Sequence, residues 1–317
     1  MRFNPKVKLD TDRVGDAGGS GGLGGGGMQF PIPGGAKAGG GLGMLVVVLL
    51  FLAVSCLGGG NGGGVQLPTD DTFGGATGTD ASRMTDSERY ANCQTGADAN
   101  SDADCARVAV ENSLYNFWSQ ELAKTNVTFQ PATMTTFSGG VNTGCGTASS
   151  QVGPFYCPPD QTIYLDTTFF EEVLQGQLGG QGGDFVEPYV IGHEYGHHIQ
   201  NLAGIMNQVK TQQGPKSDAV RLELQADCFA GLWARSAANT TSKEGVQIFE
   251  SLDESDITEA LDSARAVGDD RIQQRSGGRV DPDSWTHGSA EQRQRWFMTG
   301  YETGDINACD TFSASTL

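Results

Sequence analysis

Apolar side chains recur at three- and four-residue steps between Asp104 and Lys124, at Val108, Ala109, Leu114, Phe117, Trp118 and Leu122. That spacing gathers them on one face of an α-helix, so a helix with a buried face is predicted there. Residues 126–166 change character. β-Branched and aromatic residues alternate with Gly, Asn and Pro, the pattern of short strands joined by turns. Gln161-Thr-Ile-Tyr-Leu-Asp166 is the best strand among them. Helical patterns dominate afterwards. Ser217 and Ser255 are placed as N-caps, and Ser289 with Gln292 fits a capping box. No internal repeat is visible. The sum is an α+β domain, mostly helical, with a small sheet.

One apolar run differs from the rest. Leu42 to Leu57 carries no charge and is flanked by glycine tracts. About 20 apolar residues span a bilayer, with a lower limit near 17, so this run, extended by its neutral flanks, is read as a transmembrane helix preceding the domain. A cleaved signal peptide or a lipoprotein-type site at Cys56 is the alternative. The uncleaved anchor is favoured because the basic region before it is unusually long and no small-x-small site follows at once. Of the 47 glycines, 21 lie in the first 64 residues, a composition that buries too little apolar surface to offset chain entropy. A G-x-G-x-x-G match at Gly22–Gly27 follows no strand and opens no helix, so low complexity accounts for it. The expected organisation is a disordered Gly-rich leader over 1–41, the anchor over 42–57, a flexible tether over 58–85 and one globular domain over 86–314.

The formal charge is −18. Such acidity argues against nucleic acid as a partner, since phosphate-backbone affinity comes from Lys and Arg. The leader holds five basic and three acidic residues, whereas everything beyond Leu57 is strongly acidic. The positive-inside rule then puts the leader in the cytoplasm and the domain outside the cell membrane. Cysteine usage agrees. Cys56 lies in the apolar run, and the other six make an even number, as an oxidising compartment favours. The expected pairs are Cys93–Cys105, Cys145–Cys157 and Cys228–Cys309, the first two closing short local loops.

The chemistry is concentrated in Phe185-Val-Glu-Pro-Tyr-Val-Ile-Gly-His193-Glu194-Tyr-Gly-His197-His198. His193 and His197 are four apart, about 40° round a helix, so both imidazoles can reach one metal ion. Glu194 stands beside the first ligand and can reach a metal-bound water. This H-E-x-x-H pattern is that of zinc metalloproteases. His198 lies about 140° away from His193 and is left to a structural or solvent-facing role. The alternative, two satisfied core histidines, is weakened by the clustering of three of the chain's four histidines within six residues. A catalytic zinc usually takes three protein ligands. Glu223 and Asp227, four apart on an otherwise apolar helix, are candidates, because buried carboxylates need partners. Spacing alone does not rank the two.

HEYGHH at 193–198, RLELQADCFAG at 221–231 and THGS leading to Arg293 together resemble a bacterial family of membrane-anchored neutral zinc metallopeptidases. The resemblance covers most of the chain. The E-x-x-A-D pattern is also similar to gluzincin families. It implies a zincin-like fold, Zn2+ held by His193, His197 and Glu223, and Asp227 behind a ligand histidine. Trp285-Thr-His287 resembles the Thr-His-Pro segment of related gluzincins, with Gly288 where Pro is usual. By that likeness His287 donates to the oxyanion and Arg293 braces it. The Gly268-Asp269-Asp270 element also recurs in the family, and a helix-terminal or packing role is expected of it. The function expected is hydrolysis of peptide or protein substrates by a metal-activated water, with Glu194 as general base. The competing class is a zinc-containing envelope scaffold without turnover, against which an intact Glu194 counts.

Overall fold

The computed structural model describes residues 1–19, 88–149 and 152–317. The predicted helix over 104–124 is α2, Ala103–Leu122. It starts where the Asp102 carboxylate accepts the amides of Asp104 and Cys105, and a helical turn, α1 (Gly96–Ala99), precedes it. Five helices follow: α3 (Val186–Leu202), α4 (Asp218–Ala237), α5 (Glu254–Ala266), α6 (Asp269–Arg275) and α7 (Ala290–Thr303). Ser217 caps α4, and Ser289 and Gln292 close a capping box on α7. Ser255 is not the cap of α5. Asp253 takes that position, in a box with Asp256, because its carboxylate reaches both the Ser255 and Asp256 amides.

The small sheet has the order β2-β3-β7-β6. Its members are β2 (Val14–Gly19), β3 (Thr133–Ser138), β6 (Phe155–Cys157) and β7 (Thr162–Asp166), the last being the predicted strand. β2, β3 and β7 are parallel, and β6 closes the edge antiparallel to β7. A hairpin, β4 (Gly140–Thr143) and β5 (Gly146–Ser149), stands apart. The architecture is thus the expected helical α+β one. All three expected disulfides are formed. The anchor and tether, 42–57 and 58–85, lie outside the described residues. Among the described residues no helix is long and apolar enough to cross a membrane.

The first nineteen residues correct the expectation of a disordered leader. β1 (Arg2–Phe3) pairs with β8 (Phe249–Ser251), and β2 joins the main sheet beside β3. Phe3, Val7 and Val14 are buried, and the Phe3 ring packs 4.9 Å from that of Phe249. Arg13 grips the buried Glu111 carboxylate at 2.7 and 3.0 Å and lies over the Tyr115 ring. Averaging composition over 1–41 let the glycine tract hide a short arm whose few apolar and charged residues find partners only in the tertiary fold. The domain therefore includes residues 1–19, and it continues to the buried Leu317.

Two helix crossings position the site. Gly192 and Gly196 let α3 lie against α4, where a Cβ on Gly196 would come within 3.1 Å of the Ala226 backbone. Farther along α4, Gly231 and Gly300 meet the facing backbone of α7 and α4 respectively. A Cβ on either would collide with a carbonyl, that of Phe297 or of Cys228. α4 is thereby clamped between the other two helices.

Candidate metal centre

The α3–α4 crossing brings His193 and His197 to Glu223. His193 Nε2 lies 3.2 Å from one Glu223 oxygen and His197 Nε2 lies 3.5 Å from the other. The three donor atoms fall within 4.8 Å of one another. Two imidazole nitrogens and a carboxylate facing a cleft form the donor set of a catalytic zinc site. Each imidazole is fixed through its other nitrogen, which leaves Nε2 facing Glu223. His193 Nδ1 meets Asp227 at 2.8 Å, and His197 Nδ1 meets the Gln200 side-chain oxygen at 2.8 Å.

Asp227 is fully buried and fully partnered. Besides His193 it accepts the Tyr189 hydroxyl at 2.7 Å and both Arg293 Nε and Nη2, at 2.8 and 2.9 Å. Burial alone would raise its carboxyl, but the Arg293 guanidinium and His193 outweigh that and hold it down at about 2. The sequence-based pairing of Arg293 with His287 is thus replaced. Arg293 comes from the turn of α7 that its close crossing places over Asp227, and it braces the carboxylate behind His193.

His287 lines the same cleft as His193, Glu194, His197 and Glu223. Its Nδ1 is braced by the Thr286 hydroxyl at 2.9 Å and by Asp269. One Asp269 oxygen meets His287 Nδ1 at 3.2 Å, and the other accepts the amides of Thr286, His287 and Gly288 at 2.8, 2.7 and 3.0 Å. Gly288 has φ +92°, which proline cannot adopt, and proline would also lack the donated N–H. The departure from Thr-His-Pro is therefore part of the turn that wraps Asp269. Glu194 is buried; desolvation pushes its carboxyl up, opposed by the neighbouring imidazoles. His198 is structural, held between the Tyr156 hydroxyl at 3.0 Å and the Gln130 carbonyl at 2.7 Å.

A family model described as "Putative neutral zinc metallopeptidase" matches residues 4–312. The chain belongs to that family. It is 53% identical over 227 residues to the uncharacterized protein Rv2575 of Mycobacterium tuberculosis, covering 71% of this chain and 76% of that protein. It is 45% identical over 204 residues to the uncharacterized protein YpfJ of Escherichia coli K12, covering 62% of this chain and 67% of that one. No solved structure matches it.

In this metallopeptidase-family chain several residues around the site escaped sequence reasoning. Asp269 was visible only as part of a Gly-Asp-Asp element with no assignable chemistry. Tyr189 lies one turn before His193, and Gln200 three residues after His197. Helical spacing could have flagged both as neighbours of the two histidines. Gln200 in turn donates to the Leu222 carbonyl and the Gln225 side chain, and Gln225 donates to the Cys309 carbonyl. The orientation of His197 is thereby tied to the Cys228–Cys309 bridge.

Proposed function

We propose that the protein is a zinc-dependent peptidase acting outside the cytoplasm. The observation that carries the reading is the convergence of His193, His197 and Glu223 beside Glu194 in one cleft. These three ligands would hold zinc, which supplies a polarised water and a Lewis acid for the peptide carbonyl. Glu194 accepts the proton of the attacking water and passes it to the departing amine, a role suited to a desolvated carboxyl with a raised affinity for protons. With Nδ1 engaged by Asp269, His287 has Nε2 left to donate to the tetrahedral oxyanion. Asp227 and Arg293 keep His193 in its ligating orientation.

Three disulfides support an oxidising compartment. Attachment to a membrane through Leu42–Leu57 belongs to the same proposal, with one change to the expected topology. Residues 1–19 are built into the sheet of the domain, so arm and domain share one side of the membrane, and the expected single crossing by Leu42–Leu57 with the N-terminus inside is given up.

Hydrolysis of an unfolded protein substrate tests the reading. Zinc-loaded wild-type protein should cleave it, chelator should stop cleavage, and Glu194→Gln should bind zinc without cleaving. No turnover by the zinc-loaded wild type on any of a broad peptide mixture would overturn the proposal.

A further inference from the structure

The cleft at the metal centre has a volume of about 300 Å³, at the lower end of ligand-sized pockets. Its charged lining residues are His193, Glu194, His197, Glu223, His287 and Arg293, all assigned above to the reaction or its bracing. The remaining wall is largely apolar and includes Phe155, Phe169, Leu178, Val190, Leu222 and Ile272. Such a wall favours an apolar substrate side chain and offers no counter-charge for an acidic or basic one.

A second cavity of about 260 Å³ lies on the far side of Leu178, the residue that lines both. The α5–α6 corner divides in the same way. Val267 and Ile272 face the metal cleft, whereas their chain neighbours Ala266 and Arg271 line the second cavity. Arg265, Arg271 and Arg275 converge there, with Asp262 the carboxylate among the lining residues. In a chain of net charge −18 this is a local reversal of sign. The guanidiniums are loosely engaged by acids. Arg265 approaches Asp262 at 3.7 Å and Arg271 approaches Asp270 at 3.8 Å, both longer than a hydrogen bond. Asp262 is itself occupied by the Gln181 amide at 2.6 Å. The Arg275 guanidinium packs on the Cα of Gly179, which has φ +64°, and a side chain there would displace it. Planar guanidinium forks suit carboxylate and phosphate oxygens.

We infer that the arginine cavity is a second subsite, which takes a carboxylate of a peptide whose apolar side chain fills the metal cleft. The carboxylate is an Asp or Glu side chain, or a chain terminus, within a few residues of the apolar one. This inference rests on the peptidase reading and names the substrate class: peptides pairing a bulky apolar residue with a nearby acid.

The test uses full-length, zinc-loaded Glu194→Gln protein and fluorescent peptides with one Phe or Leu anchor. Glu is placed at successive positions on either side, with Gln peptides as partners. At one spacing Glu should bind about tenfold or more tighter than Gln, as for a charge-assisted hydrogen bond. That Glu-to-Gln ratio should fall to about one in protein also carrying Arg271→Gln and Arg275→Gln. A ratio near one at every spacing would overturn the inference, as would a ratio that survives loss of the two arginines. Inorganic phosphate separates the sources of the anion. Arginine-dependent phosphate binding that leaves every peptide ratio at one would make the cavity a phosphate site unconnected with substrate, again overturning the inference. The underlying reading fails differently. Wild-type protein would then show the Glu preference in binding while cleaving none of the peptides.

Discussion

The Asp269 carboxylate meets the Nδ1 of His287 at 3.2 Å while its other oxygen gathers three successive backbone amides. Asp269 thus fixes the turn that presents the imidazole and shares the ring nitrogen with the Thr286 hydroxyl, 2.9 Å away. His287→Ala should lower turnover on the order of 100–1000-fold, the usual loss for an oxyanion donor, with zinc content unchanged. Asp269→Ala should lower turnover by a similar factor, and the double variant should be little worse than either, because the two act as a unit. Full additivity in steady-state kinetics would separate the residues.

Metal analysis checks the ligand set. Ala at His193, His197 or Glu223 should remove zinc, whereas Glu194→Gln should keep about one ion per chain and lose hydrolysis. Retention of full zinc occupancy by Glu223→Ala would exclude that carboxylate as a ligand.

The two imidazoles are oriented by different chemistry, and this is separable. Asp227→Asn and Gln200→Ala should each weaken zinc affinity or activity about 10–100-fold. Asp227→Asn should also lower stability, because the buried Arg293 would lose its charged partner. Gln200→Ala should disturb the fold less. Zinc competition titrations and thermal melts on the same samples distinguish the effects.

Single cysteines at Lys6 and Lys210 report the side of the membrane. Both should react with an impermeant thiol reagent added to intact cells, since residue 6 belongs to the arm paired with the domain. Labelling at position 210 with protection at position 6 would restore the N-terminus-inside arrangement expected from charge.

What was legible in the sequence was what lies close along the chain. His193, Glu194 and His197 declare themselves because ligand spacing on one helix is a local property. So do the Glu223–Asp227 pair, the caps at Ser217 and Ser289, and the α2 face. Asp253 displaced Ser255 as a cap because two acids three residues apart can close a reciprocal box. The partners of Arg293 and His287 were not legible. Each depends on which helices cross, and the crossings are set by where glycines allow backbones to touch. The arm was missed for a related reason. Its strands have no meaning without β3 and β8, which follow far along the chain.

The stitching of α4 to residues 309–314 sets an order of events during synthesis. A nascent chain holds every candidate metal ligand once Glu223 has emerged, yet Gln225 still lacks the Cys309 carbonyl. The 81-residue loop closed by Cys228–Cys309 also remains open, and Arg221 has yet to find the Thr311 and Ala314 carbonyls. Contacts so distant in sequence form slowly, because loop closure must precede their gain. The metal centre would then reach full strength only once residues 309–314 have joined α4. A chain released after residue 304 should accordingly hold zinc more weakly than one that runs through residue 317, and equal affinity in a chelator competition would dispose of the idea.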